Sequence, residues 1–133
     1  KDKTMRIEHV ALWAEDLERM RAFYERYFGA RAGEKYRNPT TGFESYFLRF
    51  ADGCRLEIMT RGEVVPRQKG AYDSGYAHLA VTVGSRGEVD ALTARLAADG
   101  HTVASGPRQT SDGYYESCVL DPEGNRVELV AEA

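Results

Sequence analysis

Only two of the 133 residues are cysteine, Cys54 and Cys118. They are too few for a secreted disulfide scaffold and lack the paired spacing of a zinc ribbon or redox motif. Both are expected as free thiols in a reducing cytosol. No apolar run approaches the length of a membrane span, and the charged stretch from Lys1 to Arg6 holds no apolar segment of the kind a secretory signal needs. The expected location is therefore the cytoplasm, with no membrane partner. Neither sign of charge dominates: 18 Lys and Arg stand against 21 Asp and Glu, and a net charge of -3 leaves no basic footprint for nucleic acid. A small molecule is the expected ligand. The length suits one ordinary domain, and a 42% hydrophobic content is enough for a core without crosslinks.

What is present is a pattern that occurs twice. Ile7 to Trp13 reads as a strand, with Ile7, His9, Ala11 and Trp13 on one face and Val10 and Leu12 on the other. Asp16 can cap a helix whose Leu17, Met20, Tyr24, Tyr27 and Phe28 fall at helical spacing, and Gly29 stops it. A turn-rich stretch around Asn38-Pro39-Thr40-Thr41-Gly42 precedes a hairpin of Ser45 to Phe50 and Arg55 to Met59, turned at Ala51-Asp52-Gly53. From Thr60 to Tyr76 the composition shifts to Gly, Pro and charge, which reads as a connector, and then the order begins again. Ala77 to Val83 is a strand with His78 on one face. Ser85 and Glu88 have capping-box spacing ahead of Val89, Leu92 and Leu96, and Gly100 ends that helix. Tyr114 to Leu120 and Arg126 to Val130 form a hairpin on Asp121-Pro122-Glu123-Gly124.

The chain is thus an internal repeat. His9-Val10-Ala11-Leu12 is answered by His78-Leu79-Ala80-Val81, Arg55-Leu56-Glu57-Ile58 by Arg126-Val127-Glu128-Leu129, and Glu44-Ser45 is matched with Glu116-Ser117. The two histidines lie 69 positions apart and the two glutamates 71, an offset that chance pairs would rarely produce. Each half is expected to be one βαβββ module. The fold class is α+β: a single domain of two tandem modules, about 5–60 and 76–132, forming a cup-shaped mixed sheet with the helices outside.

Period two turns His9, Glu57, His78 and Glu128 away from the helix-packed face, so all four are expected to converge inside the cup. Two imidazoles and two carboxylates suit one divalent metal ion, zinc, nickel, cobalt, iron or manganese, and leave positions for water or substrate. A lone strand histidine is more often a satisfied core residue and a lone strand glutamate a solvated one. The repeat outweighs that: inward carboxylates beside apolar neighbours are costly unpaired, and a structural ion pair calls for Lys or Arg at the matched sites. His101 has no partner in the first module and is expected at the surface.

On these stretches the chain resembles the vicinal oxygen chelate superfamily, which contains glyoxalase I, bleomycin resistance proteins and extradiol dioxygenases. The carrying residues are His9 in Ile-Glu-His-Val-Ala-Leu, Glu57 in Arg-Leu-Glu-Ile-Met, His78 in Tyr-Ala-His-Leu-Ala-Val, and Glu128 in Asp-Pro-Glu-Gly-Asn-Arg-Val-Glu-Leu. Each is weak alone, while all four in order are specific and cover essentially the whole chain. The resemblance implies a metal-dependent lyase or isomerase of the glyoxalase I kind, acting on a small substrate with adjacent carbonyl and hydroxyl groups. It implies an enediolate stabilised by the metal, Glu128 as the base and Glu57 as its symmetry mate. A bleomycin-resistance-type binding protein and an iron-dependent extradiol dioxygenase are the alternatives, and the complete set of four ligands tilts toward glyoxalase I. A homodimer is expected as well, since such relatives commonly complete the cup between subunits.

One departure bears on substrate. Glutathione-dependent lyases of this kind usually carry Arg four residues after the first His and Asn four residues after the first Glu; here Trp13 and Arg61 stand there. Lactoylglutathione lyase activity is therefore expected to be poor. Trp13 is expected as an aromatic wall, with Arg61 or Arg49 holding a substrate carboxylate or phosphate. Tyr46, Tyr114 and Tyr115 are further candidates whose facing depends on strand register.

Overall fold

The computed structural model describes residues 3–133; Lys1 and Asp2 lie outside the described residues. The chain divides between Pro66 and Arg67 into two compact units, each with one helix and its own mixed sheet. The division falls inside the connector read from the composition.

The first unit runs β1 (His9–Trp13), α1 (Leu17–Phe28), β2 (Arg31–Ala32), β3 (Tyr36–Arg37), β4 (Glu44–Arg49) and β5 (Arg55–Thr60). β4 and β5 are antiparallel and joined by a tight turn, whereas β1 lies parallel to β5, a pairing that needs a long crossover. Short β2 and β3 both pair with β4. Asp16 caps α1 by accepting from the Arg19 N–H at 3.0 Å, and Gly29 ends it in the left-handed conformation at φ 66°. The helix buries Leu17, Met20, Phe23, Tyr24 and Tyr27, and the sheet contributes Leu48, Leu56 and Ile58 to the buried core. Each such side chain is worth about 1.5–3 kcal/mol of burial.

The second unit repeats this with β6 (His78–Gly84), α2 (Arg86–Ala98), β7 (Val103–Gln109), β8 (Tyr115–Leu120) and β9 (Arg126–Ala131), in sheet order β6-β9-β8-β7. The Ser85–Glu88 capping box forms in both directions. The apolar stripe differs from the one expected: α2 buries Val89, Thr93 and Leu96, with Leu92 only half-buried. Thr93 is tolerated because its hydroxyl donates to the Val89 carbonyl at 2.6 Å and meets the buried Ser117 hydroxyl at 2.7 Å.

Two further expectations change. β1 begins at His9, not Ile7, which is 68% exposed. His101 is half-buried rather than at the surface, its N–H donating to the Leu96 carbonyl. β7, the second strand of the second module, contains Gly106 and Pro107 and pairs with β8 through shifted registers, so it carries no period. Gly106 sits at φ +76°, and a Cβ there would meet the Glu116 carbonyl oxygen at 2.7 Å. Gly106→Ala is expected to lower unfolding free energy by more than about 1 kcal/mol in urea titrations. Gly62→Ala, in open space, is expected to leave it unchanged. Among the described residues no helix is long and apolar enough to cross a membrane, and both cysteines are free.

Candidate functional site

In the parallel β1–β5 pair, His9 stands beside Arg55 and Ala11 beside Glu57, so His9 and Glu57 are diagonal neighbours on the face away from α1. His9 Nε2 lies 3.5 Å from Glu57 Oε1. The second module does the same: His78 pairs with Arg126 and Ala80 with Glu128, and His78 Nε2 lies 3.2 Å from Glu128 Oε1. Behind each pair, Leu56 and Ile58 or Val127 and Leu129 are buried, as alternation requires. The imidazoles are the more open partners, 38% and 39% exposed against 13% and 19% for the carboxylates.

Register corrects one sequence match. Ser45 pairs with Met59 and Glu116 pairs with Val130. Since Met59 and Val130 are equivalent at the glutamate offset, Ser45 answers Glu116 and Glu44 answers Tyr115. A slip of one residue exchanges the faces. Glu44 lies beside Lys35 and Arg37, at 3.6 and 3.5 Å. Glu116 turns to the open face, where the first module has only a serine.

That face of the second module is a cleft of about 710 Å³, bordered by His78, Glu128, Glu116, Arg108, Thr110 and Tyr114 among others. Burial pushes the Glu128 carboxyl above its ordinary range; nearby His78 and Arg108 oppose this, and Glu116 adds to it. Arg108 makes no ion pair among the described residues. It stands opposite Glu116 in the ladder, two residues before the 110–114 turn that the Thr110 hydroxyl closes by accepting from the Tyr114 N–H at 2.9 Å. The three tyrosines separate cleanly. Tyr46 donates to Glu18 at 2.9 Å and Tyr115 to Asp90 at 2.5 Å, both on the helix side, while Tyr114 borders the cleft.

On the open face of the first module Trp13 is 49% exposed and meets Phe43 edge-on, ring centroids 6.1 Å apart. Arg61 is tied to its own neighbour, donating from Nε and Nη2 to Glu63 at 2.9 and 3.3 Å. Sequence reasoning singled out neither Arg108 nor the inward facing of Glu116. The second was readable by applying the offset of 71 to Ser45. The first was not, because β7 has no alternation to assign it a face.

Two modules, each a helix on a mixed sheet that presents one His–Glu pair on its open face, define a duplicated α+β fold. The chain belongs to the Glyoxalase/Bleomycin resistance protein/Dioxygenase superfamily, whose sequence profile matches residues 6–129. Its fold is similar to glyoxalase I from Zea mays, with a TM-score of 0.80 at 23% identity over 96% of this chain; the chain spans 45% of that protein. It is also similar to the trypanothione-dependent glyoxalase I of Leishmania major, with a TM-score of 0.79 and 23% identity over 97% of this chain and 88% of that one. A possible glyoxalase from Bacillus cereus gives 0.71 and 28% over 96% and 99%. No curated protein matches by sequence.

Proposed function

We propose that the chain is a metal-dependent lyase or isomerase of the glyoxalase I type, acting on a small substrate with adjacent carbonyl and hydroxyl groups. The duplicated His–Glu pair is the observation that carries this reading. Two donor atoms bound to one ion at about 2.1 Å stand about 3.0 Å apart in octahedral and about 3.4 Å apart in tetrahedral arrangement. The observed 3.2 Å falls inside that range, and 3.5 Å lies just above it. Among the described residues no group of three or more His, Cys, Asp or Glu stands together to hold a metal. The proposed ligands are His9 and Glu57 of the first module and His78 and Glu128 of the second. Nitrogen and carboxylate donors in equal number fit zinc, nickel, cobalt, iron or manganese.

When bound, the ion supplies Lewis acidity to the substrate carbonyl. The remaining roles fall to the chain's own side chains. Glu128 accepts the proton from the carbon next to the carbonyl, and Glu57 is its symmetry mate. Arg108, with Thr110 and Tyr114, holds an anionic group of the substrate. Trp13 forms an aromatic wall, and Arg61 is the second anion contact once a ligand displaces Glu63.

Elemental analysis of the purified protein tests the reading directly. One divalent ion per His-Glu-His-Glu set is expected, lost in the His9→Ala, Glu57→Ala double variant while the fold persists; full occupancy in that variant would sink the assignment. Sedimentation of the same samples is expected to show a homodimer, and a metal-loaded monomer at micromolar concentration would refute that. Ligand binding that survives chelation would point to a bleomycin-resistance-type binder, and oxygen uptake with a catechol to a dioxygenase.

A further inference from the structure

The two histidines are not held alike. Glu8, one residue ahead of β1, places Oε1 2.9 Å from His9 Nδ1 and 2.5 Å from Arg55 Nη2. Arg55 is itself fixed twice: its backbone N–H donates to the Glu8 carbonyl at 3.1 Å, and its guanidinium lies 4.0 Å from the centre of the Phe47 ring. Phe47 in turn meets the His9 ring edge-on at 5.2 Å. Phe47, Arg55, Glu8 and His9 thus form one closed group around the imidazole.

An ionised carboxylate only accepts hydrogen bonds, so the ring nitrogen facing Glu8 at 2.9 Å is the one that carries the proton in a neutral imidazole. Nε2 is then left with a lone pair that faces the Glu57 oxygen at 3.5 Å. Two acceptors facing one another call for a cation between them. In the second module the residue before His78 is Ala77, which offers no side-chain acceptor, and the residue matching Phe47 is Cys118, whose thiol donates to the Val119 carbonyl at 3.8 Å. Among the described residues no equivalent clamp exists there.

We propose that Glu8 is a positioning residue that locks His9 as the Nδ1–H tautomer and so presents Nε2 as a ready ligand beside Glu57, making the first module the preorganised half of the chelate. The consequence for affinity rests on the metal reading above; the tautomer does not.

Two measurements separate them. In metal-free protein at pH 8, long-range ¹H–¹⁵N correlation spectra are expected to show His9 as Nδ1–H in the wild type and in Glu8→Gln, which keeps an acceptor. In Glu8→Ala His9 should lose that tautomer, with His78 unchanged as internal control. Glu8 is 67% exposed, so both variants should fold normally. Zinc titrated against a competing chelator is expected to bind Glu8→Ala about 10–100-fold more weakly than wild type, with Glu8→Gln between them. The proposal is overturned if Glu8→Ala leaves the His9 tautomer as it was, or if a zinc-binding wild type and Glu8→Ala share one affinity. If the wild type takes up no zinc, the metal reading falls and the tautomer alone decides the role of Glu8.

Discussion

Replacing Glu128 by glutamine is expected to lower kcat by about 10²–10⁴-fold, the usual contribution of a positioned general base, with little change in stability. The amide keeps the size of the side chain and one oxygen toward His78, so packing above the buried Val127 and Leu129 is preserved while the proton acceptor is lost. Glu57→Gln should cost clearly less. The reason lies in what surrounds each carboxylate. Glu128 borders a cleft with Arg108, Thr110 and Tyr114, next to Glu116. The strand beside Glu57 offers Phe47 at its paired position, and its equivalent of Glu116 is Ser45. A substrate has polar groups to bind beside Glu128 and few beside Glu57. Rates are best read from exchange of the substrate's carbon-bound proton with deuterated solvent, which reports the abstraction itself. Should Glu57→Gln prove the more damaging change, the two modules have exchanged roles. Should both variants exchange as fast as wild type, neither carboxylate is the base.

Much of this fold was legible because it is written twice. Caps at Asp16 and Ser85, the stops at Gly29 and Gly100, and the two hairpins depend on short-range chemistry, so they could be read from neighbours in sequence. The His–Glu pairs were legible as diagonal partners for a related reason: alternation fixes their face, and the constant offset fixes their equivalence. What escaped was set by longer-range pairing. β2 and β3 are two residues each and owe their state to β4, not to any propensity of their own. β7 follows the shape of β8 around Gly106, so no pattern in its residues announces that Arg108 reaches the cleft. Thr93 was missing from the expected stripe because its partner, Ser117, is 24 residues away. Glu8 was equally silent. One residue outside a strand, its meaning comes only from Arg55 standing beside it across the parallel pair.

Arg108→Ala is expected to raise KM for a small anionic hydroxycarbonyl substrate about 10–100-fold, and by more than Arg61→Ala does. A hydrogen bond to a charged group is worth about 1.5–3 kcal/mol, and truncating one side leaves the substrate anion desolvated against nothing. Arg61 already spends both donors of its guanidinium edge on Glu63, so a ligand gains only the difference between two similar ion pairs there. Arg108 has no such ion pair among the described residues, only its attraction to Glu128 within the cleft. The same two positions that distinguish the chain from glutathione lyases, Trp13 and Arg61, remove a cationic and an amide contact that a glutathione conjugate would use. A keto acid, a sugar phosphate or an aromatic hydroxycarbonyl compound suits an aromatic wall and a guanidinium better. For the methylglyoxal–glutathione hemithioacetal, kcat/KM should accordingly stay below ~10⁴ M⁻¹s⁻¹, the lower end of ordinary enzymes. Turnover above that value by the wild type, undiminished in Arg108→Ala, would show that the chain recognises glutathione through contacts other than these and that Arg108 faces solvent rather than substrate.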